Sequence, residues 1–254
     1  MKLKKFHILS IIAVLEALII LCLAFVFVSH TIAPPKDISS GYAGADLAAF
    51  WPEEKLPFAQ RNKNYLEKEA LYMTFQPSVE LVCFGDSITQ KFEWADALPE
   101  VQVANRGIGS DTIKGMLARI DSVAALSPRV ISLMAGINDL VSRSPDETIV
   151  TYRALLTALR QQLPDAQIIV TSVLPVSESH VIPAENIIAL NNMLKPLCEE
   201  FGITYLDLFR EFADESGNLL PKYDLDSVHL TTQGYQLWLS KLSPVLTDSL
   251  NLQK

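Results

Sequence analysis

The sequence contains little cysteine: Cys22, Cys83 and Cys198 are the only three among 254 residues. Three cysteines cannot build the disulfide framework that stabilises many small secreted domains. Cys83 and Cys198 lie in apolar stretches, where a free cysteine packs like a small hydrophobic residue. We therefore interpret both as buried packing residues and disfavour a bridge between them. Stability must come from a hydrophobic core, for which a chain of this length suffices.

Basic residues are also scarce, with 21 Lys and Arg against 29 Asp and Glu, a net charge of -8 and a pI of about 5.0. Lys2, Lys4, Lys5 and Glu16 give residues 1–30 a charge of +2, which leaves -10 for the remainder. An acidic surface repels nucleic acid and anionic lipid. The composition therefore argues against nucleic acid as a partner and against a folded part that lies flat on anionic lipid.

Internal repeats, low-complexity blocks and any convincing spacing of metal ligands are absent from the sequence as well. Repeats would indicate a solenoid, and clustered His, Cys and acidic residues would indicate a metal site. We therefore predict a single globular domain without a metal or another cofactor.

One long hydrophobic run is present, at residues 8–28, and its 21 residues are enough to span a bilayer. Basic residues precede it and none follows before Lys36, which predicts a cytoplasmic N-terminus and an exported remainder. A cleaved signal peptide is the alternative, but its apolar region is normally shorter. We predict a single-pass membrane protein in which residues 1–30 are the cytoplasmic tip and transmembrane signal anchor and 31–62 a linker. Residues 63–254 would then form a periplasmic or extracellular domain.

Beyond residue 62, short apolar runs alternate with amphipathic stretches. Five such alternations predict a parallel sheet covered by helices on both faces, because parallel strands need crossover connections. We expect an α/β fold of the flavodoxin-like, three-layer kind with strand order 2-1-3-4-5. The predicted strands are residues 79–84, 101–104, 130–135, 168–173 and 203–208.

The stretches between these runs place apolar residues at helical spacing. Ser144-Pro145-Asp146-Glu147 has the pattern of a capping box with proline at the first helical position. Pro196 is expected to kink the helix that contains it. The predicted helices are residues 64–75, 111–126, the segment after Ser144, 184–200 and 231–250.

Polar residues follow the first three predicted strands, at the edge of a parallel sheet where active sites form. Gly85-Asp86-Ser87 follows the first strand, residues 105–111 follow the second, and Gly136-Ile137-Asn138-Asp139 follows the third. A serine between a strand and a helix can attack a carbonyl carbon, and its own N–H can help to hold the resulting oxyanion. The alternative is purely structural, because Ser87 and Gln90 also fit a capping box.

A histidine with an acidic partner stands near the end of the chain, in Asp226-Ser227-Val228-His229, just before the last predicted helix. An acceptor three residues before a histidine can fix its tautomer while the other ring nitrogen takes the serine proton. Ser87, Asp226 and His229 are therefore the candidate nucleophile, orienting acid and general base.

These blocks, in this order, resemble the GDSL/SGNH hydrolase superfamily, whose signatures are a GDS, a glycine, a GxND and a DxxH. The resemblance covers roughly residues 80–250, and the Asn-Arg-Gly-Ile-Gly stretch resembles the branch with acetylesterases and platelet-activating-factor acetylhydrolase-like proteins. It implies that Ser87 is the nucleophile, that His229 is the general base and that Asp226 orients the histidine. It also implies an oxyanion hole made of the N–H groups of Ser87 and Gly107 and the side-chain amide of Asn138.

Two positions differ from the usual pattern of that family. Ile88 follows Gly-Asp-Ser where leucine is usual, and Ser110 stands where relatives often have a second glycine after Gly109. Neither difference removes a catalytic atom, so both bear only on the subfamily.

Trp94 and His180 are candidates for the edge of the substrate site. Core packing is the default interpretation of Trp94, which is expected on the same helix as Ser87. His180 follows the fourth predicted strand, and a surface position or a substrate contact fits it better than the role of base. Arg106 and Asp111 are expected to brace loops rather than to touch substrate.

The sequence thus predicts a membrane-anchored, outward-facing serine carboxylic-ester hydrolase that acts on small acyl esters, acetyl above all, through an acyl-enzyme. Its partners would be a small-molecule, glycan or lipid ester and, through the N-terminal helix, the membrane. The alternatives are a lysophospholipase- or thioesterase-type hydrolase, an acyltransferase on an envelope glycan, and a binding module without turnover. The loops after the first three strands are too short to form the apolar lid of a long-chain lipase. This absence of a lid favours a small acyl group.

Overall fold

Five strands form one parallel sheet in the computed structural model, which describes residues 63–251 of the chain. All positions of the first and third strands are buried, so helices cover both faces of the sheet at its centre. The strands are β1 (Leu81–Gly85), β2 (Val103–Gly107), β3 (Val130–Met134), β4 (Gln167–Thr171) and β5 (Thr204–Leu206). Their order, β2-β1-β3-β4-β5, confirms the predicted α/β fold and strand order.

The register of the sheet brings the ends of three strands together. Gly85, the last residue of β1, pairs with Gly107 at the end of β2 and with Met134 at the end of β3. β2 lies on one side of β1 and β3 on the other, so the direction of the strand order reverses at β1, which makes this the topological switch point. The loops that follow these three strands therefore start side by side.

Nine helices lie between and around the strands within residues 63–251. The capping box predicted at Ser144 is present, with Pro145 in the first turn. Pro196 lies inside its helix, and the kink expected there stays a prediction. The helices are α1 (Lys63–Thr74), α2 (Ser87–Gln90), α3 (Trp94–Ala97), α4 (Ile113–Ala118), α5 (Asp121–Ala124), α6 (Pro145–Gln162), α7 (Ala184–Glu200), α8 (Phe209–Phe212) and α9 (Thr232–Leu250).

Two predicted helices are divided in the structure. The stretch 111–126 forms α4 and α5, because Arg119 leaves helical geometry with φ -110° and its side chain turns into the core. Trp94 does not share a helix with Ser87, because α2 ends at Gln90 and α3 begins at Trp94. Regular apolar spacing alone does not reveal either break.

The hydrophobic core includes both cysteines of the described region. Cys83 in β1 and Cys198 in α7 are buried and free, as the packing interpretation expects. An aromatic cluster lies between the segment after α2 and α9: Phe92 stacks on Tyr235 at 4.5 Å, and Trp94 meets Trp238 edge to face at 5.1 Å. This cluster joins the beginning of the domain to its last helix.

The predicted anchor (residues 1–30) and linker (31–62) lie outside the described residues. Within residues 63–251, no helix combines the length and the apolar character needed to cross a membrane. The anchor therefore stays a prediction from the sequence.

Candidate active site

Ser87 is the first residue of α2, directly after the buried strand β1. Asp86, not Ser87, caps this helix, because its carboxylate accepts the N–H of Ile88 over 2.9 Å. The hydroxyl of Ser87 is therefore available for another contact. The capping-box alternative for Ser87 and Gln90 is wrong, since the side chain of Gln90 accepts the N–H of Gly109 over 2.5 Å.

The hydroxyl of Ser87 meets His229 from the far end of the chain. Oγ of Ser87 lies 2.8 Å from Nε2 of His229, across 142 residues of sequence. Nδ1 of the same ring lies 2.8 Å from both carboxylate oxygens of Asp226. A hydrogen on Nδ1 donates to that carboxylate, so Nε2 is left to accept the serine hydrogen. The three side chains thus form a continuous hydrogen-bonded chain.

The loop that carries Asp226 and His229 is held by contacts at its middle residue. Ser227 has φ 82°, in the left-handed region, and its N–H donates to Asp224 Oδ1 over 2.6 Å. The carbonyl of Ser227 accepts the N–H of Ser177 over 2.9 Å, which joins the loop to the segment after β4. The N–H of His229 itself donates to Asp226 over 2.9 Å. This backbone arrangement holds Asp226 against Nδ1 of His229 and directs Nε2 of the same ring to Ser87.

A tyrosine of the last helix, which follows this loop, contacts α2, the helix that begins with Ser87. The hydroxyl of Tyr235 donates to the carbonyl of Ile88 over 2.7 Å, between residues 147 positions apart. Together with the stacking of Phe92 on Tyr235, this contact fixes α9 against α2. Because His229 lies just before α9, the same contacts set the distance between the histidine and Ser87.

The carboxyl of Asp226 is held in its charged form. Burial opposes its ionisation, but the N–H and the ring of His229, and then the ammonium of Lys91, outweigh burial and lower the pKa of Asp226 to about 2. A carboxylate charged over the whole physiological range can orient the imidazole and stabilise the imidazolium that forms when the ring takes a proton.

Gly107 has a packing role that the sequence did not reveal. Its N–H donates to Oδ1 of Asn105 over 2.9 Å, so this hydrogen is already bonded within the protein. A Cβ at Gly107 would lie 2.3 Å from the backbone nitrogen of Gln90, which means that α2 packs directly on this glycine. The prediction that Gly107 supplies an oxyanion N–H is therefore contradicted.

Ser110 lies in the loop that follows β2, and its backbone N–H is not hydrogen-bonded within residues 63–251. The N–H groups of Ile108, Gly109 and Asp111 each have an acceptor, whereas that of Ser110 has none within residues 63–251. Its φ of 61° lies in the left-handed region, where glycine is most easily accommodated. The loop lies beside the nucleophile, because a Cβ at Gly109 would be 4.0 Å from that of Ser87.

Asn138 comes to the same loop from the end of β3. Its Nδ2 donates to the carbonyl of Asp111 over 2.8 Å, which fixes the amide beside Ser110. An amide nitrogen has two hydrogens, so the second remains for a ligand. The three loops after β1, β2 and β3 are therefore joined around the hydroxyl of Ser87.

Residues 83–237 match the GDSL-like lipase/acylhydrolase family, and the match covers more than half of the chain. The chain belongs to this family. It is accordingly an enzyme that hydrolyses acyl esters, as the sequence predicts.

Individual relatives agree with this membership. The platelet-activating factor acetylhydrolase IB subunit alpha2 of Gallus gallus is 25% identical over 167 residues, which are 63% of this chain and 72% of that subunit. A GDSL-like lipase of Bacteroides thetaiotaomicron superposes with a TM-score of 0.62 at 24% identity, over 76% of this chain and 100% of that one. An acetyl-xylooligosaccharide esterase from a Geobacillus species has a TM-score of 0.55 at 21% identity, over 69% and 95%. These two structures share the fold of this acylhydrolase.

A buried ion pair, between Arg119 and Asp111, joins the first two loops of this acylhydrolase. Nε of Arg119 donates to Asp111 over 2.7 Å, and the two Nη atoms donate to the carbonyls of Arg106 and Gly85 over 2.9 and 3.0 Å. The guanidinium therefore ties the ends of β1 and β2 to the loop of Ser110. The sequence predicts that Asp111 braces a loop but does not identify Arg119 as its partner. The two residues are eight positions apart, and side chains at that spacing are not neighbours on a helix.

Asn105 and helix α1 also brace the site. Nδ2 of Asn105 donates to the carbonyls of Thr89, Gln90 and Phe92 and so holds the end of α2. From α1, the hydroxyls of Tyr65 and Tyr72 donate to the carbonyls of Gly115 and Gly107, both over 2.8 Å. Arg106 stacks over the ring of Tyr72, with its guanidinium carbon 4.5 Å from the ring centre. Nothing in the sequence links α1 to the active site, because its tyrosines follow an ordinary helical pattern.

Three buried aspartates flank the residues at the site: Asp86 precedes Ser87, Asp111 follows Ser110, and Asp139 follows Asn138. Burial raises the pKa of Asp86 and of Asp139 to about 7, against the opposing effect of the N–H groups that each accepts. Burial likewise raises the pKa of Asp111 to about 6, although Arg119 lowers it. One carboxylate oxygen of each aspartate has no partner within residues 63–251. The neutral forms of these carboxyls are therefore favoured on folding.

Replacing Asp139 with asparagine is expected to flatten the pH dependence of stability. A carboxyl whose pKa rises on folding contributes stability below its unfolded value, about 3.9, and loses that contribution as the pH rises through its folded value, about 7. The thermal midpoint of Asp139→Asn relative to wild type is thus expected to be higher at pH 8 than at pH 5. The exposed Asp165→Asn serves as the control, and an equal Asp139→Asn difference at both pH values would contradict the prediction.

Two further predicted site residues have other surroundings. Trp94 is buried, with 2% of its surface exposed, and its ring N–H donates to the carbonyl of Thr89 over 2.9 Å. The substrate-edge alternative for Trp94 is therefore wrong, and the default of core packing holds. His180 is partly exposed, and its Nδ1 accepts the N–H of Ile182 over 3.2 Å. Burial lowers the pKa of His180, and no contact brings it to Ser87.

The described part of the chain shows no group of three or more His, Cys, Asp or Glu side chains that could hold a metal ion.

Proposed function

We propose that this acylhydrolase is a serine esterase that works through an acyl-enzyme formed on Ser87. The observation that carries the proposal is the hydrogen-bonded chain from Ser87 Oγ through the ring of His229 to Asp226, with 2.8 Å at each step. A nucleophile, a base and an orienting acid in this geometry are the requirements for acyl transfer from an ester. In this role Ser87 is the nucleophile, His229 the general base and Asp226 its orienting acid.

The reaction takes place in two halves. Ser87 Oγ attacks the ester carbonyl while Nε2 of His229 takes the hydroxyl proton, and that proton then passes to the leaving alcohol as the ester C–O bond breaks. A water molecule next gives its proton to His229 and attacks the acyl carbon. Ser87 leaves with the proton from the histidine, and the carboxylic acid is released.

Three donors are proposed to stabilise the oxyanion: the N–H of Ser87, the N–H of Ser110 and the side-chain amide of Asn138. Support comes from the unbonded N–H of Ser110 and from the contact of Asn138 with Asp111, which keeps the amide beside that loop. Preorganised donors act on the transition state, where charge develops, and each typically contributes about 10²- to 10³-fold in kcat.

We propose a small acyl group, acetyl above all, as the preferred acid part of the substrate. Only Asp86 separates β1 from α2, and the loop between β2 and α4 is also short, so neither can supply an apolar lid. The name of the Geobacillus relative, an acetyl-xylooligosaccharide esterase, supports this choice by analogy of fold alone. The segments 177–182 and 214–218 are largely polar, which suits a polar alcohol such as a sugar.

The ester preference is tested with a series of p-nitrophenyl esters. We expect kcat/KM to be highest from acetate to butyrate and to fall by octanoate, because the short loops after β1 and β2 cannot form an apolar lid over a longer tail. A steady increase towards palmitate would overturn the small-acyl proposal in favour of a lysophospholipase-type activity. A low, uniform rate with intact fluorophosphonate labelling of Ser87 would favour acyl transfer, which added acceptor sugar would then accelerate.

We also propose that residues 8–28 anchor the enzyme and that the catalytic domain lies outside the cytoplasm. The argument rests on the charge asymmetry around the apolar run, with three lysines before it and no basic residue directly after it. Alkaline phosphatase fused after Lys254 is expected to be active and to sediment with membranes. An inactive phosphatase fusion, with an active cytoplasmic reporter at the same position, would contradict this orientation.

A further inference from the structure

A lysine lies against the carboxylate of the catalytic histidine. Nζ of Lys91 is 3.5 Å from Oδ2 of Asp226, and the same oxygen is 2.8 Å from Nδ1 of His229. Lys91 directly follows the nucleophile helix, and its backbone N–H donates to the carbonyl of Ser87 over 3.0 Å. The position of the ammonium is therefore coupled to the same short helix that positions the nucleophile.

We propose that Lys91 extends hydrolysis to lower pH by repelling the proton that would otherwise occupy Nε2 of His229. The inference rests on the proposed function, in which His229 must be unprotonated before it can take the hydroxyl proton of Ser87. A positive charge beside the pair of His229 and Asp226 disfavours the imidazolium, because like charges repel. Lys91 acts through Asp226 and does not touch the reacting atoms, so it is a positioning residue rather than a catalytic one.

The charged groups around Asp226 identify Lys91 as the source of the proposed repulsion. Lys91 and His229 are the two charged groups that lower the pKa of Asp226. The other titratable groups on the elements packed around this pair are Lys222, Tyr223 and Asp224, on the segment that pairs with residues 229–231, together with Asp86, Tyr235, Glu178 and His180. Burial is the largest cause that raises the pKa of Tyr235, which stays neutral, and burial lowers the pKa of His180. Of the remaining groups, the carboxyls of Asp224 and Glu178 favour the imidazolium and therefore oppose Lys91, whereas burial favours the neutral form of Asp86. The ammonium of Lys222 lies over the ring of Tyr223, 4.7 Å from its centre.

Partial exposure limits the size of the effect. The side chains of Lys91 and Asp226 are 43% and 46% exposed, so water and salt screen the charge of the ammonium. A partly screened charge at this distance is expected to move the acid limb of the pH–rate profile by about 0.3 to 0.7 pH units at low ionic strength. A shift of this size is large enough to measure in the acid limb of a pH–rate profile.

The experiment measures kcat/KM for p-nitrophenyl acetate, a neutral ester, between pH 4.5 and 8.5 at low ionic strength. Lys91→Met is expected to raise the pH of half-maximal activity by about 0.3 to 0.7 units, Lys91→Glu by about twice as much, and Lys91→Arg by very little. Because the Debye length falls to about 3 Å at 1 M salt, NaCl at that concentration is expected to shift wild type in the same direction. The Lys91→Met profile is expected to be far less sensitive to salt.

Lys241→Met is the matched control, because Lys241 forms a comparably exposed ion pair with Glu211 at 2.8 Å in another part of the domain. Its acid limb is expected to coincide with that of wild type. The inference is overturned if Lys91→Met and wild type share one acid limb at low salt. It is equally overturned if Lys91→Met changes only KM or the plateau rate, which would make Lys91 a substrate contact.

Failure of this inference can be distinguished from failure of the proposed function. Wild type is first labelled with a fluorophosphonate and assayed at pH 8. If Ser87 takes no label and no ester is turned over, the proposed function fails. If Ser87 is labelled and turnover is normal while all Lys91 variants keep the wild-type acid limb, only the role of Lys91 is refuted.

Discussion

Ser87→Ala is expected to lower kcat by about 10⁴- to 10⁶-fold while the protein stays folded. In the proposed mechanism the hydroxyl of Ser87 forms the acyl-enzyme, and within residues 63–251 no other nucleophile contacts Nε2 of His229. The fold is expected to survive because Asp86, not Ser87, caps α2. The activity that remains is the part that the oxyanion donors and substrate binding supply without a nucleophile. The measurement is the single-turnover rate on p-nitrophenyl acetate, with the thermal midpoint as the test of folding.

Ser110→Ala is the matched control for this variant, because Ser110 lies in the adjacent loop and is proposed to act through its backbone N–H. Its kcat is expected to stay within a few-fold of wild type, since alanine keeps that N–H. A fluorophosphonate adduct mapped to Ser110 or to any serine other than Ser87 would show that the nucleophile is misassigned. So would a Ser87→Ala enzyme that retains a tenth of the wild-type rate.

His229→Ala is expected to reduce kcat by a similar factor, about 10⁴- to 10⁶-fold, because the proton of Ser87 then has no acceptor at 2.8 Å. The two residues act as one unit, so the double variant Ser87→Ala/His229→Ala is expected to lose little more than either single variant. This strong non-additivity in kcat separates a shared catalytic role from two independent structural effects, which would multiply.

His180→Ala is the matched control for the histidine. The ring of His180 accepts an N–H from its own turn and has no contact with Ser87, so its loss is expected to change kcat only slightly. A His180→Ala variant more damaged than His229→Ala would reverse the assignment of the base. Fully multiplicative losses in the Ser87/His229 double variant would also argue against the shared role.

The sheet could be predicted from the sequence because central parallel strands are buried on both faces and therefore appear in the sequence as apolar runs. The run 130–135 contains all of β3, and the run 168–173 contains most of β4. The two edge strands are the exceptions: the run 101–104 overlaps β2 only at residues 103 and 104, and the run 203–208 shortens to three residues with partly exposed side chains. An edge strand has one neighbour, so fewer of its residues need to be apolar.

The proposed catalytic residues could also be predicted from the sequence, because each lies in a short block whose residue types suit one kind of chemistry. Ser87 follows a strand and a glycine, and Asp226 stands three residues before His229. Parallel topology then brings the carboxyl ends of the strands to one edge, so separate blocks become neighbours. The distances of 2.8 Å between them required the structure.

Contacts between segments could not be obtained in this way. Gly107 was assigned as a donor from its block, but its N–H is bonded to Asn105 and its missing Cβ admits helix α2. Trp94 was placed on the helix of Ser87, whereas α2 ends before it and its ring enters the core. Each of these roles depends on a neighbour from another element, which periodicity does not encode.

The sequence by itself determined the class of fold, the candidate nucleophile with its candidate base and acid, and the presence of a long apolar run near the N-terminus. These properties depend on residue type and local order, which a chain displays before it folds. Only the tertiary structure decided which N–H of residues 105–111 is left unbonded, how Arg119 and Asp111 join two loops, and that Lys91 lies against Asp226. Those outcomes depend on packing between segments far apart in the chain, where a difference of about 1 Å decides whether a hydrogen bond forms.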